Sequence, residues 1–356
     1  MNTGMKTRAA ILSSVLLLTL PLFAREKTDV IVMKNGDRLT CEVKGLDAGV
    51  LSIGLDYVDG TISVQWSKVA RLESNQLFVV RTEKGLVYTG KLSTVDTAAN
   101  QPVQIQIVET DEKTAVLDRA RITKMSQASD KFWQRFNGDI NLGISYSKGN
   151  QATQYNFGTQ TEYLRERWAA QATFNSNLSA NSGSTTSTRN QLTLTSYRLL
   201  PWDNYFYGGL GTFLQSSVQG IRLQTNLGGG IGRFLKNTNR MRITVLGGLA
   251  WQDTNYNQAT TLPLRTQSIA AALIAAEVKV FKFKKTNLDI TATTVPALSD
   301  PGRLFFNTNA SYYVKVFTNL SWNVSFYGNW DTQPPPGLTG SDYGTSSGLK
   351  WSFGNR

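Results

Sequence analysis

The stretch GTSSG at 344–348 sets Ser346 between two glycines in the spacing of a serine nucleophile. That chemistry needs a strand–turn–helix elbow to expose the hydroxyl and a histidine to take its proton. The chain has no histidine at all. The absence removes Ser-His and Cys-His pairs, the commonest general base and the usual zinc ligand. GTSSG therefore reads as the Gly/Ser-rich start of a strand. LGGGIGRF (227–234) has the glycine density of a phosphate-cradling loop, yet no helix pattern follows, and glycines in strands relieve crowding or permit bending. ETDE (109–112) offers carboxylates to a hard cation but reads more simply as an exposed acidic loop. The single cysteine, Cys41, excludes an intrachain disulfide and is expected to fill a semi-buried site in mid-strand. No catalytic set emerges, no cofactor or metal is implied, and no enzyme is expected.

The elements that carry these residues are strands. MNTGMKTRAAILSSVLLLTLPLFAREKT opens the chain with Lys6 and Arg8, an apolar core from Ala9 to Leu22 and a small residue at Ala24, the pattern of a secretory signal peptide over 1–24. Residues 25–125 contain a weak duplication. DVIVMKNGDRLTCEVKGL leads to ISVQWSKVARLES, and LFVVRTEKGLVYTGKL leads to AVLDRARITKMS. Each copy turns at a glycine, Gly36 or Gly85, and ends on apolar residues three apart, Val69/Leu72 and Ile122/Met125. Asn35-Gly36 and Asp59-Gly60 mark hairpins. The pattern predicts a tandem small β-barrel domain of the Sm or SH3 type, exported to the periplasm, its copies packed together because one copy has little core. A linker over 126–137 follows, with Phe132, Trp133 and Phe136 among Lys131 and Arg135. It reads either as an interfacial anchor or as a connector with packed aromatics.

From 138 to 356 twelve strand-like segments begin near Asp139, Thr153, Arg167, Thr188, Asn204, Arg222, Arg242, Gln267, Asn287, Leu304, Asn319 and Thr345. In LSWNVSFYGNW (320–330) Leu320, Trp322, Val324 and Phe326 alternate with Ser321, Asn323 and Ser325, as side chains on a strand must. Short connections (165–167, 236–239, 284–287, 317–319) alternate with long ones (180–188, 253–266, 296–303, 331–343). Tight turns at one end and long loops at the other, on an even number of antiparallel strands, predict an all-β transmembrane barrel. Its lipid face is expected to include Leu142, Trp168, Ala172, Trp322, Phe326, Trp351 and Phe353. Asn141, Ser145, Gln171, Asn175 and Asn323 are expected to face the lumen. Arginine at Asn323 is accordingly expected to cost far less than arginine at Val324.

Together, the leader, DVIVMKNGDRLTCEVKGL closing on VQWSKVARLES, and a barrel ending GLKWSFGNR resemble the bacterial outer-membrane proteins of domain of unknown function 481. The resemblance implies an outer-membrane barrel and brings no established activity or catalytic residue with it.

The net charge of +12 is uneven: residues 25–136 hold 16 basic and 15 acidic groups, residues 137–356 hold 19 and 10. Export argues against a nucleic-acid partner. Much of the surplus falls on the short-turn end, at Arg165, Arg167, Arg198, Arg233, Lys236, Arg240, Arg242, Lys282, Lys284 and Lys285. Such a periplasmic basic rim suits anionic lipid headgroups or anions nearing the lumen. The function expected is a narrow pore or envelope scaffold. Its partners would be outer-membrane lipid, the barrel-assembly machinery and a periplasmic protein or polymer held by residues 25–125. The rival readings are a histidine-free enzyme acting on lipid or envelope polymer, and a soluble secreted binding module.

Overall fold

The computed structural model describes residues 27–96, 101–109, 113–128, 135–147, 152–181, 186–201, 203–257, 266–282, 286–317 and 319–353. The signal-like segment, Lys131, Phe132 and Trp133 of the linker, most of ETDE, and Lys284 and Lys285 lie outside the described residues, as do the side chains of Ser145 and Lys282.

Nine antiparallel strands before the linker share one core. β1 (Asp29–Met33), β2 (Arg38–Asp47), β3 (Val50–Leu55) and β4 (Val58–Gln65) form a meander, and a 3₁₀ turn over Trp66–Lys68 follows. The first half of β5 (Val69–Thr82) then returns to pair with β1. Its second half opens an equivalent meander with β6 (Val87–Val95), β7 (Gln104–Glu109) and β8 (Thr114–Asp118). A second 3₁₀ turn, Arg119–Arg121, leads into β9 (Ile122–Gln127), which returns to β5 and also pairs with β2. One strand thus serves both halves. The turns are tied to each other, since Trp66 Nε1 donates to Arg119 O at 2.9 Å and the Arg119 guanidinium donates to Val69 O.

The three-residue apolar spacing has a local cause. Residues three apart point to opposite sides of a regular strand. A β-bulge skips Ala70 in one return strand and Thr123 in the other, so Val69 with Leu72, and Ile122 with Met125, all turn into the core. The β3–β4 hairpin turns at Asp56 and Tyr57 rather than at Asp59-Gly60. Gly60, at φ +88°, lies in β4 where the register slips between Leu55↔Val58 and Ile53↔Ile62.

Cys41 is fully buried rather than half-buried. Burial, then the charges of Asp29 and Glu42, push its thiol up to about 12. Thiolate is the reactive form, so at pH 8 the folded chain holds almost none. An alkylating reagent is therefore expected to leave Cys41 unlabelled in the native protein and to label it fully in denaturant. Rapid native labelling, followed by mass spectrometry, would show that this core opens.

The remaining strands close a barrel in sequence order. They are β10 (Phe136–Ser147), β11 (Ala152–Leu164), β12 (Trp168–Asn181), β13 (Ser187–Leu199), β14 (Tyr205–Ser216), β15 (Ile221–Asn237), β16 (Met241–Tyr256), β17 (Thr266–Lys282), β18 (Thr286–Pro296), β19 (Leu304–Lys315), β20 (Leu320–Asp331) and β21 (Ser341–Phe353). All twelve expected strands are present, each starting within four residues of its expected position. The closing seam joins β21 to β10 through five residue pairs, from Gly138↔Phe353 to Leu142↔Leu349. The β17–β18 ladder has nine and the β16–β17 ladder fifteen. Connections at the end beside the small sheet span three to five residues. At the other end they run from four residues to nine.

Candidate functional site: the covered mouth of the barrel

The small sheet sits over the short-turn end of the barrel and grips it at several points around the rim. Arg81, itself buried, donates Nε to Glu166 O at 3.0 Å and a second nitrogen to Arg165 O, which fixes the β11–β12 turn by its backbone. Asn204 donates to Glu83 O at 2.7 Å, and Asn239 to Ile122 O at 2.8 Å. Lys315 donates to Ser63 Oγ at 3.0 Å. Two glycines make the approach possible. Gly49 (φ +74°) and Gly85 (φ +78°) need a left-handed backbone, and a Cβ there would lie 3.0 Å from Asn239 O and 2.8 Å from Asn204 Oδ1.

Ion pairs cross the same boundary. Lys124 of the sheet meets Glu162 of the lumen wall at 3.4 Å, and Asp47 of the sheet meets Arg242 of the wall at 3.8 Å. Below them Lys279 pairs with Glu277 at 2.7 Å, and Lys350 pairs with Asp139 at 3.1 Å while lying 4.1 Å over the Tyr313 ring. Between sheet and wall lies a cavity of about 830 Å³.

The register assigns the two surfaces of the wall. Leu142 opposes Phe157 and Leu349, Trp168 opposes Arg198, Ala172 opposes Leu194, and Trp322 opposes Val314 and Leu349. Phe326 and Trp351 continue the same set, and Phe353 pairs with Gly138. These side chains form the outer wall, where Ile144 is 71 % exposed and Leu249 67 %. The alternate residues, including Asn141, Gln171, Asn175 and Asn323, point inward.

The inner surface is packed. Asn323 is 1 % exposed, and Gln191, Asn226, Gln252 and Thr254 are also buried. An apolar layer of Ile269, Ala271, Leu273, Val295 and Phe305 faces inward between β17 and β19. At the far end Arg303 holds Asp331 through two hydrogen bonds of 2.9 and 2.6 Å and reaches Gln267. Arg189 lies 3.7 Å from Asp342 and 4.4 Å over the Tyr327 ring. Leu338 of the 332–340 loop packs on Leu214, Ile221 and Tyr256.

The model of the family described as "Protein of unknown function, DUF481" matches residues 140–353, which is the barrel almost strand for strand. The chain belongs to this family. No curated protein matches it. Among solved structures it is similar to the translocator domain of the autotransporter NalP from Neisseria meningitidis, with 14 % identity over 61 % of this chain and 87 % of that one, at a TM-score of 0.33. A porin matches at 11 % identity over 78 % and 98 %, with a TM-score of 0.28. The outer-membrane protease OmpT of Escherichia coli matches at 12 % over 64 % and 99 %, with a TM-score of 0.24.

In this DUF481 barrel the basic residues of the short-turn end separate into distinct places. Arg242 turns into the lumen mouth against Asp47. Arg165, Arg167 and Arg198 stand exposed beside the cavity. Arg233 pairs with Asp203 at 2.5 Å over the Tyr205 ring, and Lys236 and Arg240 are exposed farther round. Ser346 points into the lumen from mid-β21, opposite Ser325, with no helix after it, and LGGGIGRF lies within β15. Sequence reasoning missed the pairing of Lys124 and Asp47 with the wall, the inward apolar layer and the Arg303 clamp. Only Arg303, a lone cation between Pro301 and two aromatics, carried any signal.

Proposed function

We propose that the chain stands in the outer membrane as a closed barrel, a scaffold that holds residues 25–125 over its periplasmic mouth. The membrane placement is supported by the outer wall, because an apolar band this large is not stable in water and alternates with a polar interior. Leu142, Trp168, Ala172, Trp322, Phe326, Trp351 and Phe353 would then meet lipid. The short-turn end is taken as periplasmic. Insertion would use the barrel-assembly machinery. The small domain, read as a tandem Sm- or SH3-type unit, would be free on its outer side for a periplasmic protein or envelope polymer.

The observation that carries the scaffold reading is the seating of the small sheet, gripped at the β11–β12, β13–β14 and β15–β16 turns and paired through Lys124–Glu162 and Asp47–Arg242. The packed lumen and the Arg303 and Arg189 clamps support it from the other end. A gated narrow pore is the second reading. It is favoured by Asn141, Asn156, Asn226, Thr244, Gln252 and Asn323, whose inward polar atoms have no protein partner and call for water. Planar-bilayer recording separates the two. The full chain, and a chain lacking residues 25–128 that still shows heat-modifiable migration, are both expected to give no steady conductance. Steps that appear only on removal of the domain would make the barrel a gated pore, and steps in the full chain would overturn closure.

A further inference from the structure

We propose that the cavity under the small sheet binds the phosphodiester headgroup of an anionic phospholipid, reached sideways from the adjoining leaflet. The inference rests on the membrane placement proposed above. The lining runs from Lys279 and Lys350 inside the mouth to Arg167, Trp168 and Arg198 at the outer edge of the wall. A ligand can therefore hold its polar part in the gap while its apolar part stays along the outer wall. At about 830 Å³ the space is of the size that ligand sites take.

The charge of the lining selects the ligand. It holds ten basic and five acidic side chains. Three of the acids are already held, Asp47 by Arg242, Glu162 by Lys124 and Asp139 by Lys350, and Lys279 is held by Glu277. Ten basic against five acidic groups leave a positive surplus, and Asp289 acts on Lys279 and Lys350 inside the mouth. The arginines Arg165, Arg167 and Arg198 are grouped at the outer edge, with Glu166 beside them. A guanidinium matches phosphate oxygens with two parallel donors, which an ammonium does not. A zwitterionic headgroup would bring its own cation into a gap that already carries a positive surplus.

The outer edge is also built for a headgroup boundary. Phe136 and Tyr163 pack at a tilt with ring centroids 4.9 Å apart, and Tyr163 meets Trp168 edge-on at 5.6 Å. The charges of Arg165 and Arg135 act on the Tyr163 hydroxyl, so the aromatic cluster and the cations form one surface. Amphipathic rings of this kind settle at the membrane–water interface. The turn that carries Arg165 and Arg167 does not have to be ordered on binding, since Arg81 already holds its carbonyls.

The test uses the full chain in a zwitterionic detergent, with retained ligand counted by native mass spectrometry. Short-chain phosphatidylglycerol is expected to bind at least tenfold more tightly than phosphatidylcholine of the same chain length, with an affinity that falls as salt is raised. Glycerol 3-phosphate, which has the phosphate without the tails, is expected to bind far more weakly. R165Q/R167Q/R198Q should abolish the preference, R165K/R167K/R198K should weaken it, and R240Q should leave it intact. All three changed positions are exposed, and heat-modifiable migration reports whether each variant is folded. Equal retention of the two lipids would overturn the headgroup site, as would a preference that survives the glutamine variant. Tight binding of glycerol 3-phosphate would make the cavity a site for a soluble phosphate and overturn the lipid assignment. A chain that fails to enter lipid vesicles at all would undo the membrane placement instead.

Discussion

Arginine in place of Leu249 is expected to destabilise the folded barrel by about 2–4 kcal/mol in lipid, the range for a cation at mid-membrane on a barrel's outer face. Leu249 lies near the middle of β16, opposite Gly229 and Ala272. Its exposed side chain touches little protein. In a water-soluble sheet the same replacement would be a surface change worth within about 0.5 kcal/mol either way. The unfolding midpoint in urea, measured in phospholipid vesicles and again for Val324→Arg, gives the answer. A neutral result at both positions would remove the outer wall from the membrane. Asn323 is no longer the cheap comparison that alternation suggested. It faces inward but is buried among packed side chains, so arginine there meets overpacking rather than a watery lumen.

Asp331→Ala is expected to cost about 3–5 kcal/mol, because it takes both short carboxylate contacts from a buried guanidinium and leaves it only the half-exposed Asp300, 3.5 Å away. Arg303 is 3 % exposed, and both Asp331 oxygens accept from it. The same arginine packs 4.8 Å over the Phe305 ring and hydrogen-bonds Gln267, so it cannot swing into water without leaving both. Replacing both members, as R303M/D331L, should recover much of the loss, since a buried pair and an apolar pair of similar volume are close in free energy. Chemical denaturation of the three proteins checks this. A mild single variant would show that the clamp is solvated.

The number of strands was legible because a period of two survives in most segments and because connection length alternates. β10 and β20 show it most clearly. In β17 the alternation is lost. In SIAAALIAAEVKVF both surfaces are apolar over half the strand, so alternation could not tell Ile269 and Leu273, which face inward, from Ala272 and Ile274, which face out. The covered mouth was illegible for another reason. Asp47 and Arg242 are far apart in sequence, and nothing local in either one names the other. The duplication was visible, but the double use of β5 was not, since a shared strand leaves no gap between repeats.

The seam between β10 and β21 has a mechanical consequence. Its five pairs make it the shortest ladder in the wall, and it joins residues more than two hundred positions apart. The connection from the small sheet runs directly into Phe136, the first residue of β10. Tension carried by that connection is therefore delivered along one of the two seam strands, lengthwise, where the wall resists least. The element that covers the mouth is also the lever arm on the wall's weakest join.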